Sequence, residues 1–372
     1  MTETYSKLSE HQSDNPVTPR EMALEFHGSA REYFRIWIVN LCLTLLSFGV
    51  YSAWAKVRKK RYFYSHTTLD GTPFQYLAQP VPILKGRIVA AVLFSIYYAA
   101  SHYFTSVMPY VLVAGLVLAP WVIVRSAAFN ARYSAFRNMN FCFDGHYRDA
   151  LITIYAWGLI PVLVIGTMFH WGGNLFAAAG LYAIFGLAFP WWLKRFKNLI
   201  ISHTAFGGKN GEFSASGGQF FKIYFMAGLI MTVAGFVAGL IGTSLISPLH
   251  KSPYAFLLVS FPVYAGYVLA FAYIQARTSN LVWNRTRLGP LYFESTLRSR
   301  GLVSLYVTNA LGIVASAGLL TPWAVIRTLK YRVDHMRVHN EGDLADFSGS
   351  PATAVRATGA EVGEFFSMDL SL

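Results

Sequence analysis

Five arginines at or near the ends of apolar runs follow an aromatic residue by four positions, and they are the side chains best placed to do chemistry. The pairs are Trp54 and Arg58, Trp121 and Arg125, Trp191 and Arg195, Tyr273 and Arg277, and Trp323 and Arg327. A guanidinium group suits phosphate or carboxylate, so the set predicts binding of an anionic ligand. An interfacial aromatic residue with an arginine one turn later also anchors a helix end to lipid, and this second interpretation stays open.

Histidines form the other candidate groups. The sequence Ser-His-Thr occurs at 65–67 and again at 202–204. Because a catalytic residue rarely occurs in duplicate, we expect a role in the fold. Asp334, His335 and His339 would share one face of a helix, but the glutamate of a zinc-binding H-E-x-x-H motif is missing. The sequence therefore predicts no catalytic residue, no metal site, no cofactor and no enzymatic activity.

The composition excludes an ordinary soluble protein. Of the 372 residues, 54% are hydrophobic and only 13% are charged, and the mean hydropathy is +0.40. A bilayer core needs about 20 apolar residues in a helix. Eight runs approach or meet that length, at 33–54, 87–105, 108–124, 149–169, 173–193, 222–246, 255–276 and 301–323.

The charges between these runs predict an orientation. Six of the runs form three close pairs, and the connections within the pairs carry a single basic residue, Lys251. The longer loops between the pairs carry twenty-one lysines and arginines. By the positive-inside rule the long loops are cytoplasmic, which predicts six spanning helices in three hairpins. Basic runs such as 56–61 follow an apolar run directly, so we expect them to face anionic lipid headgroups and not nucleic acid.

The first and last runs do not fit this orientation as spanning helices. If both crossed, the arginines and lysines that follow 301–323 would lie outside the cell. We therefore expect two re-entrant or interfacial segments and both termini in the cytoplasm. Each segment has an asparagine near its middle (Asn40 and Asn309) and a later glycine (Gly49 and Gly318), which is typical of a broken helix.

Short stretches with alternating aromatic residues, as at 24–28, 74–76, 141–145 and 291–293, predict strands before the membrane segments. The expected fold is an all-α polytopic membrane protein with internal repeats and small cytoplasmic β-hairpins. A polar tail at 1–23 and an acidic, disordered tail at 340–372 would flank a repeat-built membrane domain at 24–339.

The run from Phe26 to Tyr76, with Gly-Val-Tyr-Ser-Ala-Trp-Ala-Lys-Val-Arg at 49–58, resembles the opening of the YjgN-like family of bacterial inner-membrane proteins, whose function is unknown. The similarity covers about residues 24–338. Ser47, Phe48 and Ala53 depart from the Thr, Leu and Pro expected there. The resemblance implies a multi-pass protein of the bacterial inner membrane and implies no activity.

These observations predict a transport or channel-type protein for a small anionic solute or for lipid, with the arginines at its cytoplasmic mouth. The alternative is a membrane scaffold or envelope-organising protein that binds partners through its cytoplasmic loops. Anionic membrane lipids are the expected partners in either case. The sequence predicts neither a protein partner nor an oligomeric state.

Overall fold

The computed structural model describes residues 20–155, 175–249 and 253–342. Its strands are β1 (Arg20–Met22), β2 (Leu24–Phe26), β3 (Thr67–Leu69), β4 (Thr72–Tyr76), β5 (Ser134–Phe136), β6 (Met139–Phe143), β7 (Thr204–Phe206), β8 (Lys209–Phe213), β9 (Thr286–Leu288), β10 (Leu291–Ser295) and β11 (Met336–Asn340). Its helices are α1 (Ala30–Leu46), α2 (Ser52–Ser65), α3 (Pro80–Tyr103), α4 (Met108–Tyr133), α5 (147–155), α6 (Leu175–Ser202), α7 (Gly217–Leu249), α8 (Pro253–Asn284), α9 (Ser299–Ala315) and α10 (Thr321–Asp334). A short 3-10 helix, Thr105–Val107, links α3 and α4.

All eleven strands belong to one antiparallel sheet with the order β1-β11-β10-β9-β8-β7-β6-β5-β4-β3-β2. Its two end strands are consecutive in the chain, because only Ala23 separates β1 from β2. Met22 in β1 is opposite Val338, and Leu24 in β2 is opposite Leu69. One bent strand thus pairs with both ends of the sheet and brings it close to a closed barrel.

The barrel is filled by side chains. Six of them are almost fully buried, namely Met22, Leu69, Phe136, Phe206, Leu291 and Val338. Phe136 contacts Phe74 with ring centroids 4.9 Å apart and Phe206 at 6.2 Å, so aromatic contacts run across neighbouring strands. This apolar core holds the sheet together and closes the middle of the barrel.

Two-residue turns connect the strands in pairs. At the β3–β4 turn, Asp70 and Gly71 have φ angles of 51° and 74°. Positive φ at both positions is the type I′ geometry that suits the twist of a hairpin. The β5–β6 and β7–β8 turns also have positive φ at both central residues.

The turns divide the described residues into five modules, and in each module the described part has two α-helices between a first and a last strand. The modules run from β2 to β3, β4 to β5, β6 to β7, β8 to β9 and β10 to β11. Five equivalent backbone hydrogen bonds close them, from His27 to His66, Leu77 to Tyr133, Asp144 to His203, Ser214 to Arg285 and Thr296 to His335, with lengths of 2.9–3.0 Å. The first helices of the modules are anchored by five buried residues, Tyr33, Ile83, Ala150, Phe220 and Leu302.

The apolar runs 33–54 and 301–323 are each broken into two helices. Between α1 and α2, Phe48 and Gly49 have φ angles of 50° and 89°. The N–H of Gly49 donates to the carbonyl of Thr44 (2.8 Å), which ends α1 in the manner of a glycine C-cap. Gly318, with φ of 91°, does the same after α9. The chain therefore turns back sharply at both places.

The predicted all-α fold with six spanning helices is wrong, because the expected hairpins join in one large sheet. Within the described ranges, four helical stretches are long and apolar enough to cross a membrane: Pro80–Tyr103, Met108–Tyr133, Gly217–Thr243 and Leu257–Asn284. Most of the run 149–169 lies outside the described residues. The two strands of each module pair although they are far apart in the chain. No local sequence pattern shows this pairing.

We expect Phe136→Ala to destabilise the protein by about 3–5 kcal/mol, because it removes a buried ring from the barrel core. The thermal unfolding midpoint in detergent measures this change. Phe225→Ala is the matched control, since Phe225 lies on α7 and is 60% exposed. Equal midpoints for the two variants would contradict a packed barrel.

Candidate functional site: the arginines of the second helices

The five aromatic–arginine pairs occupy one equivalent place in the five modules. Each lies on the second helix, with Arg58 eight residues before His66, whose carbonyl accepts the closing hydrogen bond. The same spacing of eight separates Arg125 from Tyr133, Arg195 from His203, Arg277 from Arg285 and Arg327 from His335. The structure therefore places all five arginines about 12 Å along their helices from the barrel.

The surroundings of the arginines differ from module to module. Arg58, Arg125, Arg195 and Arg277 are exposed, whereas Arg327 is half-buried. The guanidinium of Arg277 lies 5.8 Å from the ring centroid of Tyr273, and that of Arg327 lies 5.1 Å from Trp323. In these two modules the aromatic residue and the arginine contact each other directly as a cation–π pair.

Arg327 belongs to a hydrogen-bonded cluster between α9 and α10. Its Nη1 donates to Oγ1 of Thr308 (2.6 Å) and to Oδ1 of Asn309 (3.1 Å). The amide nitrogen of Asn309 donates to the carbonyl of Ala324 (3.3 Å) and to Oγ1 of Thr328 (3.0 Å). Asn309 is buried, and its carboxamide is fully used in holding the two helices of the module together.

Asn40 occupies the corresponding place in the first module with fewer partners. Its amide nitrogen is 3.5 Å from the carbonyl of Ala55, and its Oδ1 is buried without a hydrogen-bond partner. Val39 and Lys59 stand where the last module has Thr308 and Thr328. Helix α1 is continuous through Asn40, and the break comes at Ser47–Tyr51.

Sequence reasoning missed the two threonines of the Arg327 cluster. The only signal was that Thr308 precedes Asn309 and that Thr328 follows Arg327. Which side of a helix faces a partner depends on packing between helices, and this is not visible in one helix alone.

Helices α2 and α4, the second helices of neighbouring modules, meet through a different face of α2 from the one that carries Arg58. Nζ of Lys60 donates to Oδ1 of Asn130 (3.2 Å), which joins α2 to α4. Arg58 precedes Lys60 by two positions and so lies about 160° around the helix. We infer that Arg58 points away from α4. The role of the five arginines in ligand binding or in lipid anchoring stays a prediction.

The second helices carry a belt of positive charge, which we call the basic collar. It comprises the Lys and Arg residues in the eight-residue stretches that start at each aromatic residue: Lys56, Arg58, Lys59, Lys60, Arg61, Arg125, Lys194, Arg195, Lys197, Arg277, Arg327 and Lys330. These stretches contain no Asp or Glu. The helical acids Glu32, Asp149 and Asp334 instead lie within one turn of the barrel end of α1, α5 and α10. The collar is therefore a zone between the barrel and the apolar helices in which the five stretches carry cations and no acidic residue.

His66 and His203 cap the second helices of their modules. Nδ1 of His66 lies 2.8 Å from the carbonyl of Tyr62, and Nδ1 of His203 lies 2.9 Å from that of Leu199. A carbonyl only accepts, so Nδ1 carries the proton in both rings. His335 makes the same contact with Tyr331 at 2.8 Å. The structure thus gives these histidines the expected role in the fold.

The helical face proposed for Asp334, His335 and His339 does not exist. Helix α10 ends at Asp334, and His339 lies in β11, where its ring stacks on Tyr292 and its Nε2 is 3.4 Å from Glu294. Strand geometry separates the two histidines. Nowhere in 20–155, 175–249 or 253–342 do three His, Cys, Asp or Glu side chains come together as metal ligands would.

Two tyrosines, one on α1 and one on α2, join the helices of the first module near the barrel. The rings of Tyr33 and Tyr62 stack with centroids 5.6 Å apart. The N–H of Ser29 donates to the Tyr62 hydroxyl (2.9 Å). Burial raises the pKa of Tyr33 to about 12, and the nearby Tyr62 adds to the rise. Burial also raises the pKa of Tyr62. Both rings therefore stay neutral and serve packing and hydrogen bonding.

We expect Arg327→Gln to lower the stability by about 1–2 kcal/mol, since it removes hydrogen bonds from a charged donor to Thr308 and Asn309. Arg58→Gln is the matched control and is expected to cost less than about 0.5 kcal/mol, because Arg58 is exposed. Thermal midpoints of the two purified variants measure the difference. A larger loss for Arg58→Gln would show that the cluster in the last module is not what holds α9 to α10.

Comparison with known proteins places the chain in a family. It is 25% identical over 193 residues to the inner membrane protein YjgN of Salmonella typhimurium, covering 47% of this chain and 49% of that protein. It is 26% identical over 150 residues to the inner membrane protein YjgN of Escherichia coli K12, covering 39% and 36%. The matches thus span about half or less of these curated relatives. No solved structure is significantly similar. The profile of the family described as bacterial protein of unknown function (DUF898) matches residues 21–365, and the chain therefore belongs to this family.

Proposed function

We propose that this protein is a non-enzymatic transport protein of the bacterial inner membrane that handles an anionic lipid or a small anionic solute. The observation that carries the proposal is the basic collar, with twelve cations and no acid in its five stretches. A cluster of cations next to apolar helices attracts anions from the membrane surface and from solution. The relatives named as inner membrane proteins support the location.

The filled barrel favours a lipid over a dissolved ion. Phe136, Phe206 and their neighbours pack against one another in the middle of the barrel, so apolar side chains lie across its axis. A dissolved ion that followed the axis would meet this apolar core. A lipid reaches the helices sideways, from within the bilayer, and does not need the barrel to open.

A scaffold function is the second candidate, and the same filled barrel supports it. A packed barrel is a rigid platform, and its hairpin turns are available to partners. A scaffold would bind a protein and move no lipid, so a transport assay separates the two candidates.

We further propose that the barrel lies in the cytoplasm and that the five modules are internal repeats of a multi-pass protein. Strands β1 and β11 pair with each other, so the two described ends of the chain are on the same side as the hairpin turns, which lie within the long basic loops. The positive-inside rule places those hairpins in the cytoplasm. Both termini would then be cytoplasmic.

Reporter fusions after Asn340 test this orientation. We expect a green fluorescent protein fusion to be bright and an alkaline phosphatase fusion to be inactive, because phosphatase folds only outside the cytoplasm. A phosphatase fusion within the connection 247–253 is the matched control and should be active. Phosphatase activity after Asn340 would overturn the proposed orientation.

Reconstitution tests the transport proposal. Liposomes with a fluorescent phosphatidylglycerol in both leaflets lose about half of the signal when dithionite bleaches the outer leaflet. We expect a larger loss when the protein is present, and a reduced effect for the double variant Arg125→Gln, Arg195→Gln, provided that it accumulates normally. A fluorescence loss equal to that of protein-free liposomes, without any anion flux, would favour the scaffold function. Poor accumulation of the double variant would identify these arginines as membrane anchors.

A further inference from the structure

An open groove of about 350 Å³ lies between α8 and α9. It is lined by Leu269, Arg300, Val303, Ser304, Val307 and Thr308. Five of these residues are on α9, where Arg300, Ser304 and Thr308 follow one another at intervals of four. Val303 and Val307 form a second stripe beside them. The surface that lines the groove is almost entirely apolar, and Arg300, Ser304 and Thr308 border it through their side-chain stems.

We propose that this groove binds one phospholipid of the cytoplasmic leaflet, with an acyl chain along the valines and the phosphate at Arg300. The proposal deepens the proposed function, because it names a place where the collar meets a lipid. The lipid site rests on the proposed cytoplasmic position of the barrel and does not require that the protein transports lipid.

The position of the groove along the helices, relative to the membrane, fits a lipid. Helix α8 contains a stretch, Leu257–Asn284, that is long and apolar enough to cross the bilayer. Leu269 lies one turn further from the barrel than Tyr273, the aromatic residue of that module. Arg300 is the second residue of α9 and lies next to the barrel. The groove therefore runs from the barrel end of the helices, past the aromatic level, into the apolar region.

The charges also fit a phosphate. Arg300 is exposed, and the structure pairs it with no carboxylate among the residues it describes. At the other end of the groove, the Thr308 hydroxyl accepts a hydrogen bond from Arg327. A guanidinium binds a phosphate through paired hydrogen bonds. The positive surroundings favour an anionic headgroup over the cationic choline group, so phosphatidylglycerol should bind better than phosphatidylcholine.

Native mass spectrometry of the full chain tests the site, with added phosphatidylglycerol or phosphatidylcholine as the probe. We expect Arg300→Gln to weaken phosphatidylglycerol binding at least about tenfold, as the loss of a charged hydrogen bond implies. Arg287→Gln is the matched control, since Arg287 lies on strand β9 of the barrel and is exposed. It should leave the binding unchanged.

A second variant tests the apolar wall. Val307→Phe should fill the groove and weaken binding of both lipids, whereas Val233→Phe, at a 55% exposed position on α7, should not. Because a variant can lose binding by unfolding, phosphatidylglycerol is also expected to raise the thermal midpoint of the wild type and of Arg287→Gln, but not that of Arg300→Gln.

Unchanged binding in Arg300→Gln and Val307→Phe would overturn the lipid site, and so would equal losses in the control variants. Binding that is lost in both groove variants while the transport assay stays negative would support the site and reject only the transport function. Lipid movement that persists in Arg300→Gln with unchanged binding would reject the site and keep the transport function.

Discussion

Pairing of the first strand with the last holds the whole arrangement together. A sheet assembled from five modules has two free edges, and free edges pair with other chains unless something covers them. Here the bent strand formed by β1 and β2 contacts β11 on one side and β3 on the other. The N–H of Asp70 donates to the carbonyl of Ala23 (2.8 Å), at the bend itself. With the edges satisfied in this way, the helices of all five modules leave the barrel in the same manner.

The five modules have the same contacts next to the barrel and differ in the length of their helices. Next to the barrel they use the same backbone hydrogen bond and a buried anchor such as Tyr33 or Leu302. Further away, α7 has 33 residues, whereas α9 has 17. Gly318 ends α9 early, because its positive φ allows the chain to reverse. The first and last modules, which are neighbours in the ring, are therefore short, and the apolar tips of both are exposed.

The sequence alone predicted what is local in this protein. The stretches around Phe74, Phe141 and Phe293 are strands, as their alternation indicates, and the chain forms hairpins there, one of which turns at Asp70-Gly71. The joining of these strands into one sheet was not predictable from alternation, because the two strands of each module pair with each other although two helices separate them in the chain. The equivalence of the five arginines was visible in the spacing. Their partners were not, since the contact between Arg327 and Thr308 depends on how α9 packs on α10.

Oxidative cross-linking across the closing strands tests the account most directly. Glu21 and His339 are opposite each other in β1 and β11, and opposed residues in antiparallel strands are close enough for a disulfide. After Cys42 and Cys142 are replaced by Ala, Glu21→Cys with His339→Cys should form an intramolecular disulfide in membranes. Glu21→Cys with Glu212→Cys, four strands apart in the sheet, should not. Equal cross-linking of the two pairs, or none in either, would contradict the closed barrel.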